Sequence, residues 1–302
     1  MFKGSFTALA TPFKNGKVDE DAYKRLVDWQ IKEGSHGLVP VGTTGESPTL
    51  SHDEHKRVIE MCIEVAAKRV PIIAGAGSNS TEEAIELTRF AKQAGADAAL
   101  HSTGYYNKPT QEGLYLHFKA ISDAVDLPII VYNVPVRTIV DISGPTFARI
   151  AELKNVVGIK DATANVARMS VHRMLVKKPL SYLSGEDGTA LGFNAQGGHG
   201  CISVTSNVAP RMCAEFQNAC MAGDYKKALV LHDELMPLHE ALFFETNPAP
   251  VKYALWRIGV IGSPECRLPL APLTEATKKS VDAALAHAGL LKADTAKVKA
   301  AE

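Results

Sequence analysis

Short runs of apolar, often β-branched residues alternate along the chain with longer stretches in which apolar positions recur every three or four residues. The runs at 6–11, 37–42, 70–75, 98–102, 128–133, 156–160, 181–184 and 201–205 read as strands, of the kind buried on both faces in parallel sheets. Between them, 19–33, 52–68, 81–93, 111–124, 145–152, 165–176 and 187–195 carry the helical period. Ser51-His52-Asp53-Glu54 and Thr81-Glu82-Glu83 resemble capped helix starts. Eight strands, each followed by a crossover, predict an α/β fold of the closed (β/α)8 TIM-barrel type. A doubly wound open sheet is the alternative, disfavoured by eight regular units and the lack of a G-x-G-x-x-G turn.

From about residue 207 the strand pattern stops. Segments 209–222, 224–242, 250–258 and 274–288 read as helices, so a C-terminal helical appendage follows the barrel. The division expected is a catalytic barrel over 1–224 and a helical region over 225–302 packed on it, with no low-complexity linker between. Gly289 caps the last helix, and the small, charged tail 292–302 is expected to fray.

Composition narrows the function classes. Lys+Arg and Asp+Glu balance at 33 each, so no basic excess argues for nucleic acid or an anionic lipid surface. Hydrophobic content of 46% and charged content of 22% describe a soluble globular protein, and no apolar run reaches the ~20 residues of a membrane span. The N-terminal residues mimic a signal peptide but are broken by Gly4 and Ser5, and read as the first strand. Five scattered cysteines without a C-x-x-C fit a reducing cytoplasm without disulfides or a thiolate zinc site. His52 and His55 are three apart on a helix, but no carboxylate–histidine set completes a metal site. No metal and no cofactor are expected.

In a barrel, chemistry sits at the C-terminal strand ends and in the loops after them. One such end is Asn155-Val156-Val157-Gly158-Ile159-Lys160-Asp161, an apolar strand running into a lysine. An amine sheltered from bulk water loses solvation and is more readily a neutral nucleophile, able to capture a carbonyl as a Schiff base, while a lysine that snorkels out at the strand end is the alternative on this stretch alone. Tyr132 ends the preceding strand, where a phenol can shuttle protons, with Thr44 and Tyr106 relaying them to solvent. The small-residue turn Gly42-Thr43-Thr44-Gly45-Glu46-Ser47 offers backbone N–H groups to a carboxylate or phosphate, and no Walker lysine follows it. Arg137, just past the Tyr132 strand, suits bidentate capture of a carboxylate.

Four segments together carry a resemblance: Gly42-Thr43-Thr44-Gly45-Glu46-Ser47, Tyr105-Tyr106-Asn107-Lys108-Pro109, Tyr132-Asn133-Val134-Pro135-Val136-Arg137-Thr138 and Gly158-Ile159-Lys160-Asp161. In order and spacing, over residues 1–291, the chain resembles the dihydrodipicolinate (4-hydroxy-tetrahydrodipicolinate) synthases, pyruvate-dependent class I aldolases. The resemblance implies a barrel enzyme that condenses pyruvate with L-aspartate 4-semialdehyde in the diaminopimelate route to lysine. It implies that Lys160 forms the Schiff base and Tyr132 transfers protons. It also implies that Thr44 and Tyr106 complete the relay, Tyr106 coming from the neighbouring subunit of a tight dimer. Thr43, Thr44 and Ile202 fall at the pyruvate pocket, Arg137 at the semialdehyde carboxylate, and Gly185 and Asn247 along the pocket wall. A homotetramer, built as a dimer of tight dimers, is the implied assembly.

The resemblance further implies feedback inhibition by L-lysine at the dimer interface, at Ser47, His52, His55, Asn79, Glu83 and Tyr105. Glu83 can pair an α-ammonium while the histidines and Asn79 supply polar partners. The chain departs from the family pattern at His101-Ser102-Thr103-Gly104, where an apolar stretch ending Thr-Pro is usual. Glycine there loosens the loop presenting Tyr105 and Tyr106, and two polar residues enter a barrel strand. Two alternatives stay open. One is another pyruvate-dependent aldolase, of N-acetylneuraminate lyase or keto-sugar-acid type, and the other is an impaired paralogue that binds without catalysing.

Overall fold

Eight strands lie in one parallel sheet: β1 Gly4–Ala8, β2 Gly37–Val39, β3 Ile73–Gly75, β4 Ala98–Ser102, β5 Ile129–Asn133, β6 Val156–Asp161, β7 Ser181–Ser184 and β8 Gly200–Ser203. The structure, a computed structural model, describes residues 1–291; the tail expected to fray, 292–302, lies outside them. Spatial order follows chain order, and β8 returns to pair with β1. A parallel bridge between Leu38 and Ile72 joins β2 to β3 and closes the barrel. The open-sheet alternative is thereby set aside.

Helices alternate with the strands: α1 Glu20–Lys32, α2 His52–Ala66, α3 Thr81–Ala94, α4 Gln111–Ala124, α5 Gly144–Ala151, α6 Arg168–Leu175, α7 Ala190–Ala195 and α8 Pro210–Met221. Three more, α9 Tyr225–Ala241, α10 Ala249–Arg257 and α11 Glu275–His287, complete the described chain. The capping box at α2 forms as its sequence indicates, with Ser51 accepting from the Glu54 amide and Glu54 accepting from that of Ser51. At α3 the cap is Ser80, one residue before the expected start.

Strand ends differ from the apolar pattern by a few residues, because pairing stops where the chain turns over the rim. Residues 9–11 and 40–42 leave the sheet as rim loops, and Thr205–Asn207 winds into a 3-10 turn instead of extending β8. A two-residue hairpin, Phe13–Lys14 with Lys17–Val18, lies outside the barrel and has no apolar signature long enough to announce it.

Inside the barrel, Phe6, Val39, Ile73, Leu100, Ile130, Leu183 and Ile202 fill the interior. The main core outside it is continuous from barrel to C-terminal helices, joining Leu26, Val58 and Ile59 to Leu235, Leu238, Leu255 and Leu285. The polar residues of β4 sort by the period of two. Ser102 faces the rim cavity, whereas His101 faces the helices, where its Nε2 meets Thr88 Oγ1 at 3.1 Å. Its Nδ1 has no partner, and burial pushes the imidazole down to about 3. The cost anticipated for polar atoms in this strand therefore falls on one nitrogen of His101.

Candidate active site

The register sets the site. Tyr132 on β5 pairs directly with Lys160 on β6, which pairs in turn with Leu183 on β7, so phenol and amine share one layer at the rim. Lys160 is 5% exposed, and its Nζ lies 4.2 Å from the centroid of the Tyr132 ring. Among the described residues it has neither an ion-pair partner nor a hydrogen-bond acceptor, unlike the other buried lysine, Lys252. Gly185 closes on the lysine stem: a Cβ there would stand 3.0 Å from Lys160 Cε and 2.8 Å from Ala162 Cβ. Ile202, on β8, is fully buried beneath this layer.

Across the mouth, Thr43–Gly45 forms a single 3-10 turn. The amides of Thr43 and Thr44 have no acceptor among the described residues, so they are free to donate to an anion. Thr44 is buried, and its Oγ1 accepts from Asn247 Nδ2 at 3.0 Å. Asn247 Oδ1 is buried without a partner. Arg137 sits in a helical turn, Pro135–Thr138, rather than a plain loop. Its exposed guanidinium reaches the Asn247 carbonyl at 3.4 Å. Val136 beside it is exposed.

Arg137, Glu186, Glu245 and Asn247 line an open cavity of about 680 Å³ beside this group, whose walls do not include Lys160, Tyr132 or Thr44. Burial first, then the neighbouring Asp187 carboxylate, raise the Glu186 carboxyl, against the pull of Lys160. Tyr106 is not brought into this group. It is 98% exposed, has φ of +68°, and projects from the surface. Its loop is nevertheless tied down, because Asn107 Nδ2 donates to the Asn79 carbonyl at 2.8 Å and Asn79 Nδ2 to that of Tyr105 at 3.3 Å. Gly104 does not adopt the left-handed backbone that would require glycine.

The six residues expected to bind an effector, Ser47, His52, His55, Asn79, Glu83 and Tyr105, all line one cavity of about 630 Å³, together with Thr43 and Arg137. Glu83 accepts from Ser78 Oγ and meets His52 Nε2 at 2.8 Å, and those contacts, Ser78 first, hold its carboxyl below the usual range. His55 Nε2 donates to the Gly75 carbonyl at 2.9 Å, which leaves Nδ1 as its acceptor, and burial lowers its pKa. No group of three or more His, Cys, Asp or Glu side chains that could hold a metal is found among the described residues.

Glu46 was quoted in the sequence without a role, and Lys252 was not singled out there at all. Glu46, which ends the Thr43–Gly45 turn, forms a buried ion pair with Lys252 of α10, Nζ to Oε1 2.6 Å. The available signal was a lone lysine in the run Val251-Lys252-Tyr253-Ala254-Leu255, apolar on both sides.

Comparisons with known proteins agree with this geometry. The Dihydrodipicolinate synthetase family model matches residues 1–288. A 4-hydroxy-tetrahydrodipicolinate synthase of Parvibaculum lavamentivorans is 65% identical over 96% of this chain and 100% of its own. Among solved structures, a chloride-inhibited dihydrodipicolinate synthase from Acinetobacter baumannii complexed with pyruvate superposes with a TM-score of 0.94 at 49% identity, over 96% of this chain and 100% of that one. A Cyanidioschyzon merolae relative with lysine bound gives a TM-score of 0.92 at 36% identity, over 96% and 99%. With its lysine and tyrosine paired at a barrel rim and nearly all of its described length matched, the chain belongs to the dihydrodipicolinate synthetase family, lyases of the pyruvate-dependent class I aldolase type.

Proposed function

We propose that the chain is a 4-hydroxy-tetrahydrodipicolinate synthase, condensing pyruvate with L-aspartate 4-semialdehyde through a Schiff base on Lys160. The observation that carries this reading is the buried Lys160 amine, without an ion pair among the described residues and lying over the Tyr132 ring. The amine attacks the keto carbon of pyruvate, and loss of water from the carbinolamine leaves an iminium. A proton leaves the methyl carbon to give the enamine, which attacks the aldehyde carbon; the adduct's own amino group then adds to the imine carbon and expels the Lys160 amine as the ring closes. Tyr132 delivers and withdraws these protons, with Thr44 and Tyr106 linking it to solvent. The Thr43 and Thr44 amides receive the pyruvate carboxylate, Arg137 the carboxylate of the semialdehyde, and Gly185, Ile202 and Asn247 shape the wall.

The full exposure of Tyr106 in one chain supports its reaching the mouth of a second copy, in a tight dimer and, through it, a homotetramer. The cavity shared by Ser47, His52, His55, Asn79, Glu83 and Tyr105 supports binding of L-lysine as feedback inhibitor of its own biosynthesis. Five free cysteines suit work in the cytoplasm. No cofactor enters the scheme, since the protein's own amine supplies the electron sink.

Incubation with pyruvate and borohydride tests the central step. The expected result is reduced pyruvate attached at Lys160 in wild type and no label in Lys160→Ala. An unlabelled wild type would defeat the reading. Turnover of sugar acids, with none of the semialdehyde, would move the chain to a sister aldolase. Saturating L-lysine is expected to slow turnover and raise Tm, and loss of both effects in Glu83→Ala would locate the site.

A further inference from the structure

Glu46 and Lys252 are buried charges that take no part in the steps above. Glu46 stands at φ +56°, a left-handed conformation that is costly for a residue with a Cβ. Both of its carboxylate oxygens are engaged. Oε1 accepts from Lys252 Nζ at 2.6 Å and Oε2 from the Arg267 amide at 3.0 Å. Lys252 is entirely buried, and its ammonium lies 3.9 Å from the centroid of the Phe13 ring, which the Arg267 guanidinium also covers at 4.4 Å.

Two residues before Glu46, Thr44 Oγ1 accepts from Asn247; five residues after Asn247 comes Lys252. The rim turn and the segment entering α10 are thus joined by two parallel rungs, 44 to 247 and 46 to 252. The upper rung has a chemical consequence. By filling an acceptor position on Thr44 Oγ1, Asn247 leaves the hydroxyl proton as the group available to donate into the mouth.

Stability alone is a poor reason for the lower rung, since a buried ion pair is commonly no better than apolar residues of equal volume. What the pair supplies is direction. A carboxylate held at both oxygens fixes the rotation of Glu46 and so the turn that precedes it.

We propose that Glu46 and Lys252 are positioning residues for Thr44, clamping the 42–47 turn onto the segment 247–252 so that the Thr44 hydroxyl keeps one orientation. The proposal rests on the synthase reading, in which that hydroxyl relays protons. Neither residue touches the reacting atoms.

A double-mutant cycle on turnover distinguishes positioning from general support. Lys252→Met and the neutral pair Glu46→Gln/Lys252→Met are each made in wild type and in Thr44→Val, with kcat, pyruvate KM and Tm measured. The neutral pair leaves no unpaired buried charge, and it carries the test if Lys252→Met does not fold. Expected is a fall in kcat of about tenfold or more in the Thr44 background, and a change within about twofold in the Thr44→Val background. Lys252→Arg, which keeps the charge, is expected to recover part of the loss. Equal losses in both backgrounds, or an unchanged kcat in the Thr44 background, would overturn the proposal. Failure of the wild type to be labelled by pyruvate and borohydride would instead remove the synthase reading, so the two failures are told apart.

Discussion

Gly185 sets how closely the Lys160 stem is held. A methyl group at that position would press on both Lys160 and Ala162, so Gly185→Ala must move the lysine or β7. With Lys160 as the proposed nucleophile, its displacement by a fraction of an ångström to 1 Å is costly, and kcat/KM is expected to fall roughly 10- to 100-fold, with slower borohydride trapping. Unchanged trapping would show that the stem has room to yield. Lys160 and Tyr132 were legible in the sequence because each ends an apolar strand, and their direct pairing in the sheet follows from that placement. The role of Glu46 was not legible, because its partner lies 206 positions away and no local pattern marks the pairing.

At the scale of elements, the tyrosine loop 103–110 separates what a sequence shows from what it hides. Glycine in place of the usual proline suggested a loosened loop, yet the segment is tied to the neighbouring loop through Asn79 and Asn107. The restraint is tertiary and lies between residues 28 positions apart, out of reach of a local reading. Asn107→Ala should therefore release Tyr106 where Gly104 does not. Expected are a several-fold loss of kcat and weaker association of the proposed dimer, read by steady-state assay and sedimentation across protein concentration. The repeating helices and strands were nearly all visible from periodicity. The helical turn at Arg137 and the hairpin at residues 13–18 were missed, being too short to express a period.

For the whole molecule, pH acts through histidine. Burial is the leading cause of a lowered pKa at His55, His101, His117, His172, His199, His232 and His239, so the folded state holds these imidazoles neutral. Below about pH 6.5 the unfolded chain binds protons that the folded chain refuses, and stability falls as pH falls. His101, at about 3, contributes a loss of about 2 kcal/mol on going from neutral pH to pH 5. Denaturant unfolding at pH 5 and 8 should show wild type weaker at pH 5, and His101→Leu should shrink the difference by about that amount. An undiminished difference would place the acid sensitivity elsewhere.

The two rungs and the Arg267 contact also impose an order in time. The turn carrying Thr43 and Thr44 is translated early, while Asn247, Lys252 and Arg267 follow the residues they hold by 203, 206 and 221 positions. At about 5–20 residues per second, the ribosome emits the turn roughly 10–40 s before its fasteners exist. A nascent chain thus carries Lys160 before the rim turn beside it can be fastened. A stop codon before residue 247 would leave Lys160 intact and Thr44 unmoored.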